Sequence, residues 1–409
     1  MNCSRRPAFA VSFVLGAVAV GVLSVAAKGA SPAGLPSCEP ASVGMDADRL
    51  AEIPERIREF VAEKQISGAV TLVARRGCTV HLEAVGCADA AGTKPMREDS
   101  LFAIASMTKP ITAAAVMILQ DEGKLSVDDA ASKYVPELKN VVLADEASGG
   151  KRLPSREITI RDLMTHTSGV VGQQRCEATL EATVEAIAAR PLGFEPGSRW
   201  QYSPGLNVCG RIVEVVSGKP YDEFLREWIF APLGMVDTTF RPTADQEERI
   251  VEICRPGTDK QSLEPATHWL VDDRFERAPN PSGGLFSTAA DLARFYQMIL
   301  AGGELDGRRI VSAEAVAEMT RVQTGELVPG FTPGNGWGLG WCVVRQPQEV
   351  TAMLSPGTFG HGGAFGTQGW VDPRRQMIFV LMIQRSGFGN SDASDIRRVL
   401  QQIAVAAVK

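Results

Sequence analysis

Apolar residues recur at helical spacing in "DADRLAEIPERIREFVAEKQ", residues 46–65, which predicts an amphipathic helix weakened in its middle by Pro54. Two strand-like runs follow, "SGAVTLVARRG" and "TVHLEAVG", and the glycine turn between them predicts a hairpin. From Ser106 to about Met235 the periods are mostly helical, including "ATLEATVEAIAAR" and "NVCGRIVEVVSGKPYDEFLREWIF". After Pro279 a helix is expected over "STAADLARFYQMIL", capped by Ser287 or Thr288, and another over "SAEAVAEMTRV". Strands are expected at "GLGWCVV", "GTQGWVDP" and "QMIFVLMIQ", and "SDIRRVLQQIAVAAV" predicts a terminal helix.

The order is therefore helix, hairpin, helical block, strand meander, helix. The turns between the late strands are too short for parallel crossovers, so the sheet should be mainly antiparallel. A hairpin alone is marginal in water, and docking it beside the late strands solves that problem. The expected class is α/β (α+β): a mainly antiparallel sheet covered by the terminal helices. It carries a mostly helical inserted subdomain over roughly residues 125–280 and no internal repeats.

The first residues are of a different kind. Arg5 and Arg6 precede an apolar stretch from Ala8 to Ala27, and "SVAAKGAS" offers the small residues that a signal peptidase accepts. Residues 1–27 read as a signal peptide cleaved after Ala27, or, uncleaved, as an N-terminal anchor, since about 20 apolar residues span a bilayer. The expectation is export to the periplasm or beyond, with membrane contact only if the segment is retained. Over the 409 residues, 44% are apolar, 22% are charged, and the net charge of −6 comes from mixed signs. Nothing resembles the basic footprint of a nucleic-acid binder.

Removal of residues 1–27 takes Cys3 and leaves an odd number of the 8 cysteines, so one at least stays unpaired in a monomer. Cys78 and Cys87 bracket a single predicted strand, which holds them about 30 Å apart, far beyond disulfide reach. No CxxC pair or close His/Cys cluster occurs, and no metal or cofactor is expected.

The chemistry concentrates in "FAIASMTKPITAAAVMILQDEGKL", residues 102–125. Ser106 and Lys109 are three apart, which on a helix puts them on one face. A serine needs a base to become a nucleophile. A lysine serves only if its charged form is destabilised, and the apolar flanks supply a desolvating wall. Pro110 suits the first turn of a helix, which sets Ser106 near an N-terminus favouring negative charge. The residue before a proline, however, avoids helical angles. The same spacing in "SGGK", Ser148 to Lys151, lies in a Gly-rich loop without a helix to fix it.

Two further stretches carry candidates: "EPGSRWQYSPGLNVCGRIVEVVSG" with Tyr202, and "FGHGGAFGTQGWVDP" with His361 at the start of a Gly-rich strand. Together with "ITIRDLMTHTSGV", "FLREWIFAPLGMVDTTF" and "GGLFSTAADLARFYQMIL", these blocks resemble, in order, the serine β-lactamase and penicillin-binding-protein superfamily. The likeness is greatest to its class C β-lactamase and family VIII carboxylesterase branch, over roughly Ala41 to the C-terminus. The resemblance implies a β-lactamase/transpeptidase-like domain and acyl transfer through an acyl-enzyme on Ser106. Lys109 and Tyr202 would share the base and acid roles. The backbone N–H groups of Ser106 and Ala364 would form the oxyanion hole, and His361, Gly362 and Gly363 would line the substrate. The partners implied are small-molecule esters, β-lactams or peptides.

The departures from the family pattern bear on substrate. Pro204 stands where Tyr-x-Asn has its asparagine, and Asn207 either replaces that amide in part or caps a helix. His361, Gly362 and Gly363 stand for Lys-Thr-Gly, removing a permanent cation and a hydroxyl. Both changes favour an ester or peptide over a penicillin. A non-catalytic peptidoglycan-binding protein that keeps the fold is the competing reading. His166 is expected to be a loop histidine donating to backbone, because no G-x-S-x-G elbow supports a Ser-His-Asp triad. Asp128 and Asp129 read as helix-initiating carboxylates, and Trp337 and Trp341 as packing under a loop.

Overall fold

The hairpin forms as its alternation requires. In the computed structural model, β1 (Gly68–Arg75) turns through Arg76 and Gly77, both at positive φ, into β2 (Cys78–Gly86), as a two-residue hairpin whose twist matches its strands demands. The structure describes residues 1–2, 34–145, 150–259 and 261–409. The expected export segment lies, beyond its first two residues, outside the described residues. Pro32–Lys409 is one compact unit.

The same sheet contains β3 (Asn335–Trp337), β4 (Cys342–Val344), β5 (Phe359–Gly362), β6 (Gln368–Asp372) and β7 (Met377–Met382). Its order is β3-β4-β5-β6-β7-β1-β2, antiparallel throughout. The hairpin thus docks beside the last strand, and β1, flanked on both sides, is buried along its whole length.

The longer helices are α1 (Ala47–Ala62), α2 (Thr108–Asp121), α3 (Ile160–Thr165), α4 (Leu180–Ala188), α5 (Gly205–Ser217), α6 (Ala289–Leu300), α7 (Ala313–Thr320) and α8 (Asp395–Ala406). Pro54 is buried within α1 and does not break it. One face of the sheet, through Val73, Phe379 and Leu381, packs on Ile53 and Ile57 of α1 and Leu400 of α8. The other, through Val70, Leu72 and Val380, joins the cluster containing α2 and α6. Period-two alternation splits each strand between two apolar layers, so the terminal helices cover one face and the α2 layer the other.

The structure refines three expectations. The strand expected at "GLGWCVV" is the second half of a hairpin: β3 and β4 are joined by a turn in which the Gly338 N–H donates to the Trp341 carbonyl, with Gly340 at φ 76°. The stretch 125–280 is helical only in pieces. Short helices alternate with irregular chain and two small hairpins, Leu143–Asp145 with Gly150–Arg152 and Cys254–Pro256 with Leu263–Pro265. Its apolar residues, among them Leu163, Leu206, Ile212 and Phe224, belong to the cluster around α2, so helical periodicity there reports burial on a shared core. Asp128 and Asp129 start no α-helix. Asp129 instead ties a turn by accepting from the Ser126 N–H and Lys133, and Asp128 pairs with Arg161.

Among the described residues no helix is long and apolar enough to cross a membrane. Cys38 and Cys78 form a disulfide, with Cα atoms 5.6 Å apart, and Cys87 is free.

Candidate active site

Ser106 lies in a single 3-10 turn, Ala105–Met107, that leads into α2, and Lys109 is in the first turn of that helix. Lys109 is helical although it precedes Pro110, because a proline at a helix start sacrifices no intrahelical hydrogen bond. The spacing works as geometry: Lys109 Nζ is 3.1 Å from Ser106 Oγ. Ala105, just before the serine, has φ 43°, a conformation an alanine holds only where its surroundings over-determine it. Lys109 has no exposed surface, and burial drives its pKa well below the ordinary lysine value. Its amine donates to the Ser282 carbonyl at 2.6 Å.

Tyr202 enters from the loop before α5. Its hydroxyl donates to Ser106 Oγ at 2.8 Å, and its ring centroid is 4.6 Å from Lys109 Nζ. Burial raises its pKa above the ordinary phenol value, so it stays protonated. The ring is held by Phe331 (4.9 Å between centroids), His166 (4.5 Å) and Trp337 (6.1 Å). Trp337 is buried beneath Tyr202, whereas Trp341 packs in the main core against Phe295 and Phe359.

His166 differs from expectation. It does not donate to backbone; its Nδ1 accepts from the Ser203 N–H at 3.2 Å. Burial, with the nearby Lys109 and His361, pushes its pKa well below the usual histidine value, and a neutral imidazole has the lone pair this contact needs. Of the alternative Ser/Lys pair, Ser148 lies outside the described residues, and Lys151 is exposed on the short strand Gly150–Arg152.

Ser106, Tyr202, Phe331, His361, Gly362, Gly363, Ala364 and the segment Phe388–Asp392 line one cleft of about 520 Å³. His361 is within β5, not at its start. Its Nδ1 is 2.6 Å from the Gly362 carbonyl, and burial first, then Lys109, pushes its pKa down to about 4. The imidazole is neutral at pH 7. A Cβ on Gly363 would lie 2.1 Å from Thr367 Oγ1 and 2.5 Å from the Ile104 carbonyl oxygen, so only glycine lets this turn approach the chain leading to Ser106. Among the described residues, neither the Ser106 nor the Ala364 backbone N–H has a protein acceptor. No group of three His, Cys, Asp or Glu side chains among them could hold a metal.

Sequence reasoning missed Ser282 and the clamp behind it. Asn207 is neither a cap, the N-cap of α5 being Pro204, nor a cleft residue. Its Oδ1 accepts the Ser282 N–H at 3.0 Å and its Nδ2 donates to the Gln174 carbonyl at 2.9 Å. Asn280 Oδ1 accepts the same Ser282 N–H at 2.9 Å, and Thr112 Oγ1 donates to the Pro281 carbonyl at 2.6 Å. The segment "NPSGGL" is thereby strapped to the first turns of α2. Its density of turn residues was the available signal, although nothing in it announces a lysine acceptor.

The family described as Beta-lactamase matches residues 53–404. Protein Rv1367c of Mycobacterium tuberculosis is 36% identical over 357 residues, covering 80% of this chain and 88% of its own. Esterase EstB of Burkholderia gladioli is 30% identical over 387 residues, covering 86% and 94%. The solved structure of "EstCE1, a hydrolase with promiscuous acyltransferase activity" superposes with a TM-score of 0.73 at 24% identity, covering 88% of this chain and 99% of that one. The chain belongs to the beta-lactamase family of serine hydrolases, and esterases are among its relatives.

Proposed function

We propose that this protein is an exported serine hydrolase that forms an acyl-enzyme on Ser106 and hydrolyses an ester or peptide in preference to a penicillin. The observation that carries the reading is the convergence of Lys109 Nζ and the Tyr202 hydroxyl on Ser106 Oγ, at 3.1 and 2.8 Å.

Lys109 is the better base of the two. Burial favours its neutral amine but disfavours a Tyr202 phenolate. Ser106 Oγ attacks the substrate carbonyl carbon while its proton passes to Lys109 Nζ. The carbonyl π pair moves to oxygen, which the Ser106 and Ala364 N–H groups stabilise; one such donor contributes about 2.7–4 kcal/mol. The tetrahedral species expels the leaving oxygen or nitrogen, which takes the Tyr202 proton, and Lys109 reprotonates the phenol. Water then attacks the acyl-enzyme by the same steps in reverse, leaving Ser106 and both partners as they began.

The ester preference rests on Pro204, which offers no side-chain amide, and on a neutral imidazole at 361. The name of the esterase relative from Burkholderia points the same way. Export rests on the composition of residues 1–27 and on the Cys38–Cys78 disulfide, which suits an oxidising compartment. A fluorophosphonate probe should label the protein, and a folded Ser106→Ala variant should not be labelled. Labelling that survives the substitution would place the nucleophile elsewhere.

A further inference from the structure

The cleft wall beside β5 carries a charge that the sequence motifs do not announce. A Cβ on Gly362 would stand 1.7 Å from Asp392 Oδ1. The carboxylate therefore fills the space a side chain at 362 would take. In the Lys-Thr-Gly arrangement, positions 361 and 362 present a cation and a hydroxyl; here they present a neutral imidazole and, through residue 392, an anion.

Among the described residues the carboxylate is paired with no cation at contact distance, and the buried Arg397 guanidinium acts on it only coulombically. Asp392 Oδ1 accepts from the Gln368 amide at 3.1 Å, and among the described residues it forms no ion pair. Arg397 is buried behind this segment on the Trp370 ring, 3.8 Å from its centroid, and donates to the backbone carbonyl of Asp392, not to its side chain. Asp392 is partly exposed and no lysine or arginine lines the cleft. With His361 neutral, it carries the only formal charge among the described lining residues.

We propose that Asp392 is the specificity-determining residue of this cleft, disfavouring substrates with a free carboxylate near the scissile bond and favouring neutral esters and those with an ammonium group. The inference rests on Ser106 being the nucleophile at this site, and it deepens that reading by naming the substrate's charge. Penicillins and peptides ending in a free carboxylate are poor substrates on this account, for a reason separate from the loss of the motif lysine.

The test uses three thioesters of similar size, each followed by thiol release: acetylthiocholine, S-(3,3-dimethylbutyl) thioacetate and 3-(acetylthio)propanoate. The parent protein should show kcat/KM in the order cationic, neutral, anionic. Asp392→Asn should raise the anionic-to-neutral ratio and lower the cationic-to-neutral ratio, each by about fivefold, as for a partly exposed charge pair, and added salt should shrink the parent's spread. Ratios that do not move in a folded Asp392→Asn protein overturn the proposal, as does a parent that prefers the anion. If the parent turns over none of the three, the nucleophile assignment is judged separately, by whether a fluorophosphonate labels the parent and not Ser106→Ala. The charge preference is then read by saturation-transfer NMR with choline, 3,3-dimethylbutanol and 3-hydroxypropanoate, where equal binding to parent and variant again overturns it.

Discussion

Lys109 Nζ lies closer to the carbonyl oxygen of Ser282, at 2.6 Å, than to Ser106 Oγ, at 3.1 Å. One N–H of the amine is thereby committed to a backbone acceptor 173 residues away, which fixes the direction in which the amine meets the serine. Catalysis gains from such pre-set geometry, and buried amines gain a partner that does not ionise.

Lys109→Met should separate chemistry from stability. Loss of a positioned base lowers kcat by about 10²–10⁴-fold. The variant no longer has to keep an ionisable group dry, so its thermal midpoint at pH 7 should rise, in the usual trade between activity and stability. Ester turnover and calorimetry on the same preparation check both halves.

The pH dependence follows from the lowered pKa of Lys109. The reacting form is the neutral amine, so kcat/KM should rise with pH along a limb well below pH 10.5, absent from Lys109→Met. The stability effect has a defined sign. Between the folded pKa and the unfolded value the unfolded chain holds a proton that the folded chain lacks, so stability falls as pH falls through that window. The stability gap between Lys109→Met and the parent should widen as pH drops below about 10.5. Urea titrations at several pH values measure it.

Asn207→Ala should act through Ser282. The variant keeps Asn280, which accepts the Ser282 N–H and donates to the Gln174 carbonyl, but loses the second contact that Asn207 makes to each. A shift of the Ser282 carbonyl misdirects Lys109, and kcat should fall about tenfold to a hundredfold with KM little changed. Asn207→Asp keeps the acceptor oxygen but sets a second oxygen against the Gln174 carbonyl in a buried site, so it should not recover the loss.

Gly363→Ala should be costly in both respects. The added methyl meets Thr367 Oγ1 and the Ile104 carbonyl oxygen, and overpacking of this kind costs about 1–3 kcal/mol. Because Ile104 leads into the turn bearing Ser106, activity should fall with stability. Gly363→Ala combined with Thr367→Ala, which removes Oγ1, should remain impaired, since the Ile104 oxygen stays in place.

Acid should destabilise the fold through its buried histidines. His81, hydrogen-bonded through Nε2 to Thr71 Oγ1 at 2.8 Å, is pushed by burial to about 4, as is His361. Folded pKa values below the unfolded one mean that stability is lost as pH falls from about 6.5 toward 4. For His81 the full loss is on the order of 3 kcal/mol. Urea midpoints should drop over this window, and His81→Gln should flatten part of the drop.

Much of this was legible because it is local. The three-residue step from Ser106 to Lys109, the period-two hairpin and the Thr288 cap, which accepts the Asp291 N–H, depend on neighbours in the sequence. Tyr202 became legible through an ordered set of blocks, not through any property of a lone tyrosine. What stayed hidden depends on partners far along the chain. Asn207 reaches a backbone N–H 75 residues on, and Asp392, in a 3-10 turn, fills a space defined by Gly362 on β5. His166 was misread in direction because donor and acceptor roles follow from a protonation state that only burial sets. Residues 125–280 read as one helical block because apolar periodicity cannot distinguish a long helix from short ones docked on a common core.

The position of β1 has a kinetic consequence. Arg75 at its end donates to the carbonyl of Arg375, 300 residues further on, and its long edge pairs with β7 from Val70–Met382 to Arg75–Met377. The ribosome delivers the hairpin first and its neighbour last, so this edge waits unzipped through most of synthesis. Chains with such distant pairings fold slowly, and an unpaired strand is a template for association with other chains. A chaperone that holds the nascent chain should matter more to the yield of this protein than any single side chain in its cleft.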